Sequence, residues 1–280
     1  MFDRILFPTD GGDGAEAAFD HVLDLAADHE ATVHLLNVAD TTHDSVTRIG
    51  RDVVDVLEEE GEGVVEAAAT RAADRGVETV TRVLQGGVPE TITAYASEEG
   101  MDLIAIPTRG RTGLDRLLLG STTEHVVRRS TVPVLSVRPD GDPARYPYRN
   151  ILVPTDGSDS AGEALDRAVT LAARSGATLH VLSVLNLGNV GFEAYSGVEE
   201  LVSAAEERVA DAAAAAAESA GVETVEHVEV GSSPARGIRS YVADHDVDLV
   251  AMGTRGRTGV ERYLLGSVAE RTVRTSPVPA

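Results

Sequence analysis

The sequence predicts an α/β protein built from two tandem, doubly wound parallel-sheet domains, and three observations predict it. The segment FDRILFPTDGG at 2–12 returns as YRNILVPTDGS at 148–158, and PTRGRTGLDRLLLGS at 107–121 returns as GTRGRTGVERYLLGS at 253–267. Asp10 and Asp156, Gly110 and Gly256, and Gly120 and Gly266 are each 146 residues apart, so the chain is a tandem duplication. Within each copy, short runs apolar on both faces alternate with amphipathic helical stretches. That alternation belongs to a parallel sheet covered by helices on both sides, a Rossmann-like arrangement.

In order, Ile5–Phe7 is a short, wholly apolar run and reads as the first strand. Residues 13–29 follow as an amphipathic helix, and ATVHLLNV at 31–38 supplies a second strand over Thr32–Val38 that returns as ATLHVLSV at 177–184. A long helical stretch over 44–74 includes the acidic segment EEEGEG at 58–63, read as exposed helix. Val77–Leu84 is the third strand, 88–98 a helix, Leu103–Pro107 the fourth strand, 120–129 a helix and Val134–Val137 the fifth strand. The second copy repeats this plan with one insertion or deletion expected near 86–92, and its alanine-rich DAAAAAAESAG at 211–221 is helix, since alanine is the best helix former. Domain 1 is expected over 1–140 and domain 2 over 149–280. The linker, 141–148, lies within the polar, proline-containing RPDGDPARYPYRN. Ala280 aligns with Val134, so the second domain is expected to lack its fifth strand. The sheet of such a domain would then end on its fourth strand, an edge that must be covered or paired.

The bulk numbers narrow the functions. The formal net charge is −22, and all 24 basic residues are arginine. A chain this acidic repels nucleic acid over most of its surface. Such a surface suits concentrated salt, where screening shrinks self-repulsion, and the absence of lysine is a habit of salt-loving archaea. With no cysteine there are neither disulfides nor thiolate metal sites. No apolar run approaches the roughly 20 residues that span a bilayer, and MFDRILFPTD is not a signal peptide. A soluble cytoplasmic protein without membrane or nucleic-acid partners is expected.

Ligands of doubly wound sheets bind beyond the carboxyl ends of the strands, where strand order reverses, which points to the loops after the first, second and fourth strands. After the fourth strand of the second copy stand Gly253, Gly256 and then Gly266-Ser267, which opens a helix. Glycines let backbone N–H groups approach an oxyanion, and a helix start adds free donors and a favourable dipole. Arg255, Arg257 and Arg262 place cations in or beside this loop, where forked guanidinium groups suit phosphate oxygens or are merely solvated. Ser267 with Glu270, and Ser121 with Glu124, fit capping boxes as well, and Ser160 with Glu163 fits a third. Pro154-Thr155-Asp156-Gly157, matched by Pro8-Thr9-Asp10-Gly11, follows the first strand. Its aspartate either contacts a nucleoside, holds Mg²⁺ beside phosphates, or makes a turn before the helix. His34 and His180 lie mid-strand without a ligand cluster and read as structural histidines.

Together ILVPTDGS at 151–158, HVLSV at 180–184 and GTRGRTGVERYLLGS at 253–267, with their counterparts in the first copy, resemble the universal stress protein (UspA-type) family. The resemblance covers nearly the whole chain twice, and the second copy matches the family's Gly-x2-Gly-x9-Gly-Ser/Thr pattern completely. It implies a five-stranded parallel sheet of order 3-2-1-4-5 in each domain, ATP or another adenine nucleotide with Mg²⁺, and a stress-response role. Carried over, adenosine would lie near Pro154, Thr155, Asp156, Val184 and Met252, with Mg²⁺ near Asp156. The phosphates would meet Gly253, Gly256, Gly266, Ser267 and the backbone of Val268. A weaker second site would use Pro8, Thr9, Asp10, Val38, Gly110, Gly120 and Ser121. It is weaker because Pro107 stands where Gly253 stands, removing an N–H donor and fixing φ. Losing one hydrogen bond to a phosphate costs about 1.5–3 kcal/mol.

Three functions compete at this point. The first is a binding module that signals by occupancy, with the two repeats as an internal pseudo-dimer, further self-association and protein partners that the sequence does not name. The second is a slow ATPase or adenylating enzyme of the same fold. Against it, no Ser–His–Asp elbow, HExxH or Walker lysine loop is present, and Thr155 and Asp156 replace small residues of the corresponding pyrophosphate loop. Efficient catalysis is not expected. The third is a nucleotide-free interaction module.

Overall fold

A computed structural model of the 280-residue chain describes residues 2–41, 51–108, 119–139, 144–186, 198–256 and 265–280. It divides into two units, Met1–Tyr146 and Pro147–Ala280. The first runs β1 (Arg4–Pro8), α1 (Asp13–His29), β2 (Thr32–Asp40), α2 (Arg51–Asp74), β3 (Thr79–Gly86), α3 (Val88–Glu98), β4 (Leu103–Pro107), α4 (Ser121–Arg129) and β5 (Val134–Val137). All its strand pairs are parallel, in the order β3-β2-β1-β4-β5. This is the expected order. The expected helix over 44–74 is seen from Arg51 onward, and 44–50 lie outside the described residues.

The second unit runs β6 (Asn150–Pro154), α5 (Asp159–Ser175), β7 (Thr178–Asn186), α6 (Val198–Ala220), β8 (Thr224–Gly231), α7 (Pro234–Asp244), β9 (Leu249–Val250) and α8 (Ser267–Thr275). Its sheet is parallel in the order β8-β7-β6-β9, with no fifth strand among the described residues. The edge of β9 is nevertheless partly covered. Val250 N donates to Pro279 O at 2.9 Å, as Ile104 N donates to Pro133 O at 2.9 Å in the first unit. The last residues thus lie along β9 where β5 begins in the other copy.

The central strands explain the architecture. Ile5 and Leu6 in β1, and Ile151, Leu152 and Val153 in β6, are all fully buried although their side chains alternate between faces. Each such side chain stabilises the fold by about 1.5–3 kcal/mol only if helices cover both faces of the sheet. On the face covered by α7 and α8, Leu152, Leu182, Ile238, Tyr241, Val242 and Val250 form one cluster, against which Val184, Met252 and Val268 pack. The strands are also braced at their amino ends. Asp102 Oδ2 accepts from Asp3 N and Arg4 N at 2.8 and 3.0 Å, and Asp248 Oδ2 accepts from Arg149 N and Asn150 N at the same two distances. No helix among the described residues is long and apolar enough to cross a membrane.

The single length change expected near 86–92 is not the whole story. Buried Val65 and Ala72 in α2 correspond to buried Val209 and Ala216 in α6, a separation of 144 rather than 146. The pairing Val38↔Leu84 against Val184↔Glu229 gives 146 on one strand and 145 on the next. The offset thus changes between the second strand and the helix and again after it, because the helix must keep its apolar stripe toward the sheet.

Candidate functional site

The second unit's site begins where β6 and β9 part. Their pairing ends with Ala251 N donating to Leu152 O at 2.8 Å, whereas β6 stays joined to β7 through Thr155 N to Leu182 O at 2.8 Å. A crevice therefore opens between the loops after β6 and β9, at the point where strand order reverses.

The first loop is a tight turn held by its own side chains. Thr155 Oγ1 accepts from Gly157 N at 3.1 Å, Asp156 Oδ1 accepts from Ser158 N at 3.0 Å, and Gly157 has φ of +76°, which favours glycine. The first unit repeats the turn, with Thr9 Oγ1 to Gly11 N at 3.2 Å and Asp10 Oδ1 to Gly12 N at 2.9 Å. Asp156 is thus a turn residue with one oxygen. The other leans across the crevice: a Cβ on Gly256 would lie 2.8 Å from Asp156 Oδ2.

The second loop is drawn tight against α5. A Cβ on Gly253 would sit 2.4 Å from Ser160 Oγ and 2.7 Å from Ser160 O, so only glycine fits without a shift of backbone. Ser160 Oγ donates to Arg255 O, tying the loop to the helix. Gly266 N donates to Thr254 O at 2.8 Å and closes the loop, as Gly120 N to Thr108 O at 2.8 Å does in the first unit.

Both helix starts correct the capping-box expectation. Gly266 and Gly120 are the N-caps, extended at ψ 140°, while Ser267 and Ser121 are already the first helical residues and neither end has a side-chain cap. An N-cap residue must be extended for its side chain to turn back on the helix, and the serines are one position too late. In α5 the cap is Ser158, whose Oγ accepts from Ala161 N at 3.3 Å, and not Ser160. Among the described residues no side chain therefore competes with a ligand at α8 for the first N–H groups of the helix, those of Ser267 and Val268.

The structure thus brings Asp156, Gly253, Gly256 and Gly266-Ser267 around one crevice, with Val184, Met252 and Val268 on a common apolar face beside it. Pro154 and Thr155 lie at its β6 side. Arg257 and Arg262 lie outside the described residues, as does Gly110. In the first unit Pro107 ends β4, pairs with Val137 and accepts from Thr123 Oγ1 at 2.8 Å. Gly14 holds the place of Ser160 there, so the two units exchange bulk between strand and helix. Pro8, Thr9, Asp10 and Val38 occupy the places of Pro154, Thr155, Asp156 and Val184.

Sequence reasoning missed three residues here. Ser160, read from the sequence only as a capping-box residue, instead ties the second loop to α5. Arg208 reaches under the first loop, its Cδ and Nε 2.8 Å from where a Cβ on Gly157 would stand, and NH1 donates to Ser183 Oγ at 3.3 Å. The corresponding contact to Gly11 comes from Val64, so the second unit places a cation where the first has an apolar group. Glu229, beside Val184, is the third.

The histidines are accounted for without a ligand. His34 Nδ1 and Tyr95 Oη are 2.8 Å apart, and His180 Nδ1 and Tyr241 Oη 2.9 Å apart. Burial lowers both imidazole pKa values, aided at His34 by Arg4 and Arg82 against Glu99 and at His180 by His245. Among the described residues no group of three acidic or histidine side chains is placed to hold a metal ion.

The fold and its internal repeat have counterparts among known proteins. The model of the universal stress protein family matches residues 1–138 and again 147–280. The chain belongs to that family. Universal stress protein MJ0531 of Methanocaldococcus jannaschii is 31% identical over 145 residues, covering 49% of this chain and 83% of that protein. Universal stress protein YxiE of Bacillus subtilis is 33% identical over 148 residues, covering 49% of this chain and 100% of its own. The crystal structure of a universal stress protein from Archaeoglobus fulgidus matches 100% of this chain and 97% of its own, at 25% identity and a TM-score of 0.75. The tandem universal stress protein architecture is therefore shared by a chain of similar extent.

Proposed function

We propose that this universal stress protein binds ATP or a related adenine nucleotide, chiefly in its second unit, and acts through occupancy of that site. The observation that carries this is the junction of Gly256 with the uncapped start of α8. A glycine whose Cβ space is taken by a carboxylate oxygen, a loop closed by Gly266, and a helix start free of side-chain caps together leave backbone donors converging on one crevice. The apolar face of Val184, Met252 and Val268 suits a base.

Asp156 fits Mg²⁺ in the same site. A phosphate on the Gly256 loop would meet the Asp156 carboxylate, a repulsion of about 4 kcal/mol at 4 Å and an effective dielectric of 20. A divalent cation between them reverses its sign. Since no group of three acidic or histidine ligands stands there among the described residues, nucleotide phosphates and water would complete the shell, as Mg²⁺ prefers. The first unit keeps the turn but has Pro107 for Gly253 and is the weaker site.

Calorimetric titration with MgATP, alongside mass spectrometry of nucleotide released on denaturing fresh protein, tests this. One tight site per chain is expected, abolished by Gly253→Pro, with a second gained or strengthened by Pro107→Gly. No binding, or two equal sites indifferent to Gly253→Pro, overturns it.

A further inference from the structure

The second unit carries a carboxylate that the phosphate site does not use. Val184 on β7 and Glu229 on β8 are register partners, so their side chains leave the same face of the sheet. Met252 and Val268 pack on that face with Val184. A Cβ on Gly237, in the second turn of α7, would stand 2.9 Å from Glu229 Oε2 and 3.0 Å from Val184 Cγ1. Glu229 Oε1 lies 3.8 Å from the corresponding point on Gly231, the last residue of β8. The carboxylate thus stands at the carboxyl rim of the sheet beside the apolar face, where ligands of this architecture bind.

The sister unit differs at both positions. Leu84 is the register partner of Val38, and Thr91 takes the place of Gly237. The second unit therefore accepts two unfavourable choices at one spot. Glycine inside a helix is a poor helix former, and a half-buried carboxylate needs a donor. Among the described residues Glu229 is half-buried and makes no hydrogen bond or ion pair. Gly237 makes room for its oxygen, so the pair reads as one device. Asp156 does not serve this end of the crevice, because its oxygens face Ser158 N and Gly256.

We propose that Glu229 recognises the base in the second unit, accepting a hydrogen bond from an exocyclic amino group. This rests on the nucleotide-binding reading above. A carboxylate is acceptor-only, so it rewards a donor on the base edge and rejects a base without one. The competing role is purely structural: α7 has no acidic residue in its first turn, and Glu229 would offset its dipole.

The test compares MgATP with the magnesium complex of purine riboside triphosphate, which lacks the 6-amino group, on the full chain and on Glu229→Leu and Glu229→Gln. The parent should prefer ATP by roughly 10- to 150-fold, the range for a hydrogen bond to a charged group. Glu229→Leu should bind the deaminated analogue at least as tightly as the parent does, since no carboxylate is then left unpaired, while its preference for ATP falls at least ~10-fold. Glu229→Gln, which keeps the shape and an acceptor, should retain part of the preference. An unchanged preference in Glu229→Leu overturns the assignment, as does an equal loss for both ligands with a lower Tm in the nucleotide-free protein. Equal affinity of the parent for both ligands sinks this inference alone, whereas binding of neither sinks the nucleotide reading and this inference together.

Discussion

The hydroxyl of Ser160, in the first turn of α5, donates to the carbonyl of Arg255 in the loop after β9, and the Cα of Gly253 lies against the same serine. One side chain thus sets the distance between a helix and the loop assigned to phosphate. A Cβ at residue 253 would press on Ser160 O, which is backbone and cannot rotate away. Gly253→Ala should therefore lower stability by about 1–3 kcal/mol, the usual penalty of overpacking, and weaken MgATP binding. Adding Ser160→Gly removes the hydroxyl clash at 2.4 Å but leaves the carbonyl clash at 2.7 Å, so rescue should be partial. Thermal denaturation and calorimetry of the single and double variants check this. Full stability in Gly253→Ala alone would contradict the packing described.

Gly256→Ala should behave differently. The atom it meets is Asp156 Oδ2, the end of a side chain that can swing aside. Stability should change by less than about 0.5 kcal/mol, as for other substitutions outside a packed core. Nucleotide affinity should fall, because Asp156 is pushed out of the crevice. Asp156→Asn should in turn reduce the dependence of ATP binding on Mg²⁺. Titration with and without Mg²⁺ separates the two effects. An unaltered Mg²⁺ dependence in Asp156→Asn would remove the metal from that position.

The architecture was legible because its signals are local and repeated. Strands such as Ile151–Val153 are apolar on both faces, and the loops after the first and fourth strands return in the second copy, so a parallel sheet followed from the pattern. The glycines of the candidate site were legible as a spacing. Their reasons were not. Gly253 reads as a source of an N–H, yet its tightest constraint is Ser160, 93 positions away in the chain. His180 finds Tyr241 at a separation of 61 residues, which no local pattern announces. The Ser-x-x-Glu motifs misled because a capping box depends on which residue turns extended, and Gly266 and Gly120 do so in place of the serines. Arg208 and Glu229 stayed hidden because shifts of one or two residues between the copies conceal their alignment with Val64 and Leu84.

The caps give a prediction that separates structure from ligand binding. Ser158→Ala removes the one side-chain cap bond of α5 and should destabilise the second unit by about 1 kcal/mol. Ser267→Ala and Ser121→Ala remove no cap bond and should change stability by less than about 0.5 kcal/mol. Ser267→Ala should still weaken MgATP binding. Urea denaturation of the nucleotide-free protein ranks the three, and a Ser267→Ala loss equal to that of Ser158→Ala would restore the capping box.

His21 on α1 contributes a pH dependence to the first unit. It is 4% exposed, and burial lowers its pKa from 6.5 to about 4 against the opposing pull of Asp24 and the Ala144 backbone. The folded state therefore binds this proton less readily than the unfolded chain. The contribution is fully present above the unfolded pKa, near 6.5, and is lost as pH falls toward the folded value. By pH 4 the loss should reach about 3 kcal/mol. Carboxylates protonate in the same range, so the informative quantity is the stability difference between the parent and His21→Leu. That difference should be flat above about pH 7 and shift by about 3 kcal/mol in favour of the variant by pH 4. Chemical denaturation across this range measures it, and a difference independent of pH would mean that His21 is protonated as readily in the folded protein as in the unfolded chain.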